Sequence, residues 1–167
     1  MAEPSGTVQT GNPAIPAAVR LLSVRRLSKA QLRQKLRDRG YAADAIEEAI
    51  RECERRRYLD DRTFAQLHVK NALDRKAVGR MRLLHELLRH GIESELAREV
   101  LDELDDDEET RIDRALAKLE ATRPQDRYGQ LARRLERLGF SAPHIARALR
   151  RRAQERGPVG VGLHEVT

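Results

Sequence analysis

Apolar residues in this chain recur at helical spacing, and the recurrence itself repeats. Leu32 and Leu36 precede Gly40-Tyr41, Leu83 and Leu87 precede Gly91-Ile92, and Leu131 and Leu135 precede Gly139-Phe140. Leucines four residues apart fall on one helix face. A glycine just past them suits the left-handed residue that closes a helix, and the large apolar residue behind it folds back on the last turn. Counting on from each glycine, the ninth and tenth residues are Ala49-Ile50, Val100-Leu101 and Ala148-Leu149, the apolar face of a second helix. Upstream lies a further amphipathic stretch, around Val19-Leu21-Leu22, Phe64-Leu67 and Ile112-Leu116-Leu119. No convincing period-two strand interrupts the pattern. The glycines stand 51 and 48 residues apart, a period that marks arrays of helical units.

The expected fold is therefore all-α: three tandem three-helix repeats over 13–58, 59–105 and 106–154, stacked as an elongated, curved nine-helix array. Ser28 with Gln31 reads as a capping box, and Ser141 with Pro143 as the opening of the last helix. Residues 1–12 are rich in Gly, Ser, Thr and Pro, and glycines 157, 160 and 162 with Pro158 break any helix near the other end. Segments 1–12 and 155–167 read as flexible tails.

The 167 residues exclude the larger α/β barrels, and a repeat of this size has a marginal core by itself. Lys+Arg 33 against Asp+Glu 27 gives +6, with a pI near 10.0. That balance favours an acidic partner, nucleic acid or protein, without choosing between them. One cysteine excludes an internal disulfide and a multi-cysteine zinc site. No apolar run approaches the roughly 18 residues of a membrane span, and residues 1–12 lack the apolar core of a signal peptide. The expectation is a soluble cytoplasmic chain, monomeric because no apolar heptad seam is present.

Candidate chemistry is thin. Phosphate-loop, dinucleotide and serine-hydrolase motifs are absent. His85 and His90 resemble the zinc-protease pair but stand five apart, about 140° around the helix, so they cannot share a metal. Seven carboxylates between Asp102 and Glu109 lack calcium-loop spacing and suit the N-terminus of the following helix. Cys53 shares the apolar face of Ile46 and Ile50 and reads as a small core residue. The expectation is no enzyme, cofactor or metal.

Basic clusters are the informative polar feature. Arg20, Arg25, Arg26, Lys29, Arg33, Lys35, Arg37 and Arg39 face one acid within 20–40. Arg75, Lys76, Arg80, Arg82 and Arg89 mark the second repeat, and Arg133, Arg134, Arg137, Arg147 and Arg151 the third. Arginine suits bidentate pairing with phosphate or carboxylate. Twelve of these form the candidate partner surface: Arg33, Arg37, Arg75, Lys76, Arg80, Arg82, Arg89, Arg133, Arg134, Arg137, Arg147 and Arg151.

Three stretches together resemble a known family. They are Leu27-Ser28-Lys29-Ala30-Gln31-Leu32 with Lys35-Leu36 and Gly40-Tyr41; Tyr58-Leu59-Asp60-Asp61 with Phe64-Ala65; and Gly79 with Glu86-Leu87 and Gly91-Ile92. In this order they resemble RecX, the bacterial regulator of the RecA recombinase, over about residues 15–152, and Leu135 with Gly139-Phe140 fits its third repeat. The resemblance implies a non-enzymatic modulator that binds the RecA–DNA filament and mostly inhibits recombinase, ATPase and co-protease activity, with weak direct DNA contact open. A RecA-independent nucleic-acid-binding helical module is the alternative. Two departures stand out. Arg57 replaces a glycine common before the Tyr-Leu-Asp-Asp element, so a different helix closure is expected there. Gly79-Arg80 replaces a common Gly-Pro, leaving that helix start less fixed.

Overall fold

The computed structural model of the chain describes residues 11–104 and 107–155. Nine helices and no strand run through them: α1 (Ala14–Val24), α2 (Lys29–Arg37), α3 (Ala43–Arg55), α4 (Asp61–Arg75), α5 (Arg80–Arg89), α6 (Ser94–Asp102), α7 (Glu108–Thr122), α8 (Tyr128–Arg137) and α9 (Ala142–Glu155). The tails expected at 1–12 and 155–167 lie outside the described residues except at their inner edges. There, Asn12 accepts a bond from Ala14 N at 2.9 Å and donates to the Ala45 carbonyl at 2.7 Å.

The repeating leucines fill three separate cores. Leu32 and Leu36 pack with Ile46, Ile50 and Cys53; Leu83 and Leu87 with Val69, Ile92 and Leu101; Leu131 and Leu135 with Ile112, Leu116 and Phe140. Extensive helix packing is confined to α1–α3, α4–α6 and α7–α9. Leu138 bridges by packing against both the second and third cores.

Each middle helix closes as its glycine predicts. Gly40, Gly91 and Gly139 have φ of 82°, 76° and 89°. The amides of Tyr41, Ile92 and Phe140 donate back to Leu36, Leu87 and Leu135 at 3.3, 3.1 and 3.2 Å. This double-bonded closure satisfies carbonyls that a helix end otherwise leaves open. Helix α3 ends the same way, against the expectation of a different closure. Arg57 takes φ 58°, and Tyr58 N donates to Cys53 O at 2.8 Å.

Caps follow the sequence at one end and depart from it at the other. Ser28 Oγ accepts from Gln31 N at 3.2 Å while Gln31 Oε1 accepts from Ser28 N at 3.2 Å, completing the capping box. Ser141 precedes α9, but its hydroxyl pairs with His144 Nδ1 at 2.7 Å, because the imidazole lies one turn ahead.

Between units, the N-terminus of one middle helix sits on the closing turn of the next. Ser28 Oγ donates to His90 O at 2.5 Å, and a side chain at Gly91 would put its Cβ 2.2 Å from Ala30 Cβ. At the second joint Gly79 N donates to Leu138 O at 2.8 Å and Met81 N to Gly139 O at 3.1 Å. Arg80 N also donates to Glu108 Oε1 at 3.0 Å, so this helix start is fixed without proline.

The first joint carries a pH dependence. Gln31 Nε2 lies 2.8 Å from His90 Nδ1, and Gln31 Oε1 is already the acceptor for Ser28 N, so the amide faces the ring as a donor and needs Nδ1 unprotonated. His90 also meets His68 and Phe64 edge-on, at 4.6 and 5.5 Å between ring centroids. Burial, then His68 and Arg89, hold the His90 ring below its ordinary 6.5. The unfolded chain then binds the proton first, so this contribution is full above about pH 6.5 and is lost as pH falls through the lower folded value. Protection factors around Ser28–Gln31, taken relative to the intrinsic exchange rate at each pH, should fall between pH 7.5 and 5, and His90→Gln should flatten that response.

Candidate functional site

Hydrogen bonds and ion pairs divide the twelve candidate cations into two groups. Arg33 is bidentate to Glu47, with Nε to Oε1 at 2.6 Å and a second bond at 3.0 Å. That hydrogen bond holds the Glu47 carboxyl below its ordinary value. Arg80 reaches Asp102 at 2.5 Å and the Leu101 carbonyl at 2.8 Å. Arg82 pairs with Glu86 at 3.0 Å, and Arg134 with Asp126 at 2.6 Å. Arg147 binds Glu109 at 3.0 Å; Arg151 binds Glu109 and Asp113, both at 3.1 Å. Arg33, Arg80, Arg147 and Arg151 tie helices together, while Arg82 pairs within α5 and Arg134 with the loop before α8.

The other six are Arg37, Arg75, Lys76, Arg89, Arg133 and Arg137, all exposed. Arg37 bonds Gln34 at 3.3 Å, and none of the six pairs with a carboxylate among the described residues. Arg75 and Lys76 lie at the end of α4, Arg89 ends α5, and Arg133 and Arg137 lie on α8.

Arg89 and Arg137 converge on a groove of about 680 Å³ between α5 and α8. Its α5 wall carries Met81, His85 and Leu88. Met81 is 44% and Leu88 40% exposed, whereas Leu83 and Leu87 on the opposite face are fully buried. Seven residues are two helical turns, so Met81 and Leu88 lie on one face about 10 Å apart. Beneath them, burial works to raise Glu86, and Arg82 and His68 outweigh it, holding that carboxyl below its ordinary range. The groove floor is therefore fixed by internal pairs, while its rim offers Arg89, Arg137, Met81 and Leu88 together with one exposed carboxylate, Glu136.

Motifs that suggested chemistry take structural places. His85 lines this groove, whereas His90 caps α5 on the far side against His68, so the two imidazoles point to different neighbours. Burial pushes the Cys53 thiol up, opposite to the activation a nucleophile needs. Of the acidic run, Asp107 caps α7, Glu108 and Glu109 brace α5 and α9, and residues 105 and 106 lie outside the described residues. No cluster of metal-ligating residues forms among the described residues, and no helix there is long and apolar enough to cross a membrane.

Comparison with known proteins identifies the arrangement. The first three-helix domain of RecX matches residues 14–53, and the second three-helix domain of RecX matches residues 60–101. Regulatory protein RecX of Thermus thermophilus is 36% identical over 147 residues, 88% of this chain and 96% of that protein. The chain belongs to the RecX family. Regulatory protein RecX of Treponema pallidum is 37% identical over 136 residues, covering 79% of this chain and 80% of the relative. A crystal structure of RecX from Lactobacillus salivarius shares the fold, with a TM-score of 0.75 at 20% identity over 83% of this chain and 93% of that one. The all-α helical repeat expected from sequence is thus the RecX fold, and a regulatory role comes with the family. The sequence pattern did not reveal the α5–α8 groove, because pairing α5 with α8 depends on packing between segments about fifty residues apart.

Proposed function

We propose that this chain is a non-enzymatic regulator that binds the RecA–DNA filament and lowers its recombinase, ATP-hydrolysis and co-protease activities. The observation that carries this reading is the groove between α5 and α8, where Arg89 and Arg137 pair with no carboxylate among the described residues and Met81 and Leu88 stay exposed. Aliphatic anchors ringed by unpaired arginine are what an interface core and rim require. The groove spans the second and third units, so a rigid joint beneath it presents both walls together. Several modest contacts along an array add up once the first is made. The reading extends to Arg75, Lys76 and Arg133 as flanking contacts with acidic filament surface, and places the protein in the cytoplasm as a monomer.

The test adds the protein to RecA, ATP and single-stranded DNA and follows hydrolysis. Wild type should inhibit at levels too low to coat the DNA. Arg89→Glu with Arg137→Glu should require at least about tenfold more protein for the same inhibition, as loss of an interface anchor pair does, with helicity by circular dichroism unchanged. Undiminished inhibition by the double variant would remove the groove from the interface. Tight DNA binding with no effect on hydrolysis would instead favour a RecA-independent nucleic-acid-binding module.

A further inference from the structure

A second concavity lies elsewhere among the described residues, between the first and second units. It encloses about 1010 Å³ and is walled by the α1–α2 loop, the end of α3 and the start of α4. Its carboxylates are all engaged. Glu54 pairs with Lys29; Asp60 caps α4, accepting from Arg62 N at 2.9 Å and Thr63 Oγ1 at 2.6 Å; Asp61 accepts from Lys29 N at 2.8 Å. Arg62 spans to Glu99 and Glu103. Three arginines of the wall remain, Arg25, Arg26 and Arg57, each exposed and with no carboxylate partner among the described residues. Beside them Tyr58 is 54% exposed. Its hydroxyl makes no hydrogen bond and its ring packs on no other ring among the described residues.

Arg57 is costly where it stands. The three middle helices close with glycine, but α3 closes with this arginine at φ 58°, the one non-glycine residue with positive φ among those described. A left-handed non-glycine residue carries backbone strain, because its Cβ crowds the following carbonyl oxygen. In exchange, the arginine puts a cation next to an open aromatic ring at the mouth of the concavity.

We propose that this concavity binds single-stranded nucleic acid, with one base stacked on Tyr58 and the flanking phosphates held by Arg57 and by Arg25 or Arg26. An unpaired base offers a free face to an exposed ring, whereas a duplex keeps its faces stacked internally. Arginines without internal partners supply the phosphate contacts, and the engaged acids beneath them fix the wall. The site belongs to the free protein and does not depend on the filament reading, which rests on a different groove.

The experiment titrates the full chain with a 5′-labelled oligodeoxythymidylate of about a dozen nucleotides, reading anisotropy over a range of salt. Because the chain has three tyrosines and no tryptophan, quenching of tyrosine emission gives a second signal. Tyr58→Ala should weaken binding about tenfold or more, and Tyr58→Phe should keep most of it. Arg57→Gly is the decisive variant. It should preserve or raise the melting temperature by relieving strain, yet weaken binding and reduce the log–log salt slope by about 0.7. The proposal is overturned if Arg57→Gly or Tyr58→Ala binds like wild type, if a duplex of the same length binds equally well, or if polyglutamate displaces the oligonucleotide as effectively as unlabelled strand does.

Discussion

Replacing Gly79 with alanine should uncouple the second and third units and lower the melting temperature by roughly 10 °C. Gly79 has ordinary extended backbone at φ −80°, ψ 161°, so left-handed strain plays no part. The difficulty is space: an added Cβ would lie 2.2 Å from the Gly139 carbonyl carbon and oxygen and 2.3 Å from Phe140 N. Backbone cannot swing aside as a side chain can. Relief requires the two main-chain segments to part, which breaks the Gly79 N–Leu138 O and Met81 N–Gly139 O bonds. Overpacking plus two lost hydrogen bonds amounts to roughly 3 kcal/mol. Gly40→Ala is the control. Gly40 has φ +82° but nothing within 4 Å of its would-be Cβ, so only the local strain of about 1–2 kcal/mol applies. Hydrogen exchange should show the α5–α8 joint opening in the first variant and staying closed in the second. Equal thermal losses for the two would refute the tight joint.

The second large effect is expected from Leu87→Ala. Leu87 is fully buried in the core that α4, α5 and α6 share. Truncating such a leucine costs about 2–5 kcal/mol, which is comparable with the whole stability of a unit of this size at roughly 0.1 kcal/mol per residue. Because the buried residues of this core come from one unit, with Leu138 bridging the second and third, the loss should stay mostly local at first. Exchange protection should collapse across α4–α6 and persist in α3 and α9, and, on the proposed function, inhibition of RecA should fall because the α5 wall of the groove is lost. Leu88→Ala, one residue along and 40% exposed, should leave the melting temperature within about a degree or two. A uniform loss of protection along the entire chain after Leu87→Ala would mean that the three cores fold as one.

The elements that were legible in the sequence are those decided by neighbours along the chain. Leu32, Leu36 and Gly40 determine a helix and its closure within nine residues, and the same holds at Leu83–Gly91 and Leu131–Gly139. Ser28 and Gln31 build their capping box across three residues. Less legible was what depends on packing between distant segments. Arg147 and Glu109 stand 38 residues apart, and Arg80 and Asp102 22 apart. Sequence shows such arginines as one basic population; folding divides them into internal ties and open cations. Arg57 illustrates the opposite case. Its side chain argued for a different helix end, but the Tyr58 N–Cys53 O bond and the burial of Leu59 outweigh the backbone strain.

The empty space over Gly40 gives the array a direction. At Gly91 and Gly139 the corresponding space is filled by residues of the preceding unit's middle helix, Ala30 and Arg82. Among the described residues no such side chain covers the first unit's turn, which is left as a vacant seat. A fourth trihelical segment fused ahead of residue 13, starting its middle helix with a small residue, would therefore meet a prepared socket. Lengthening at this end adds a joint of known form and leaves the other two undisturbed.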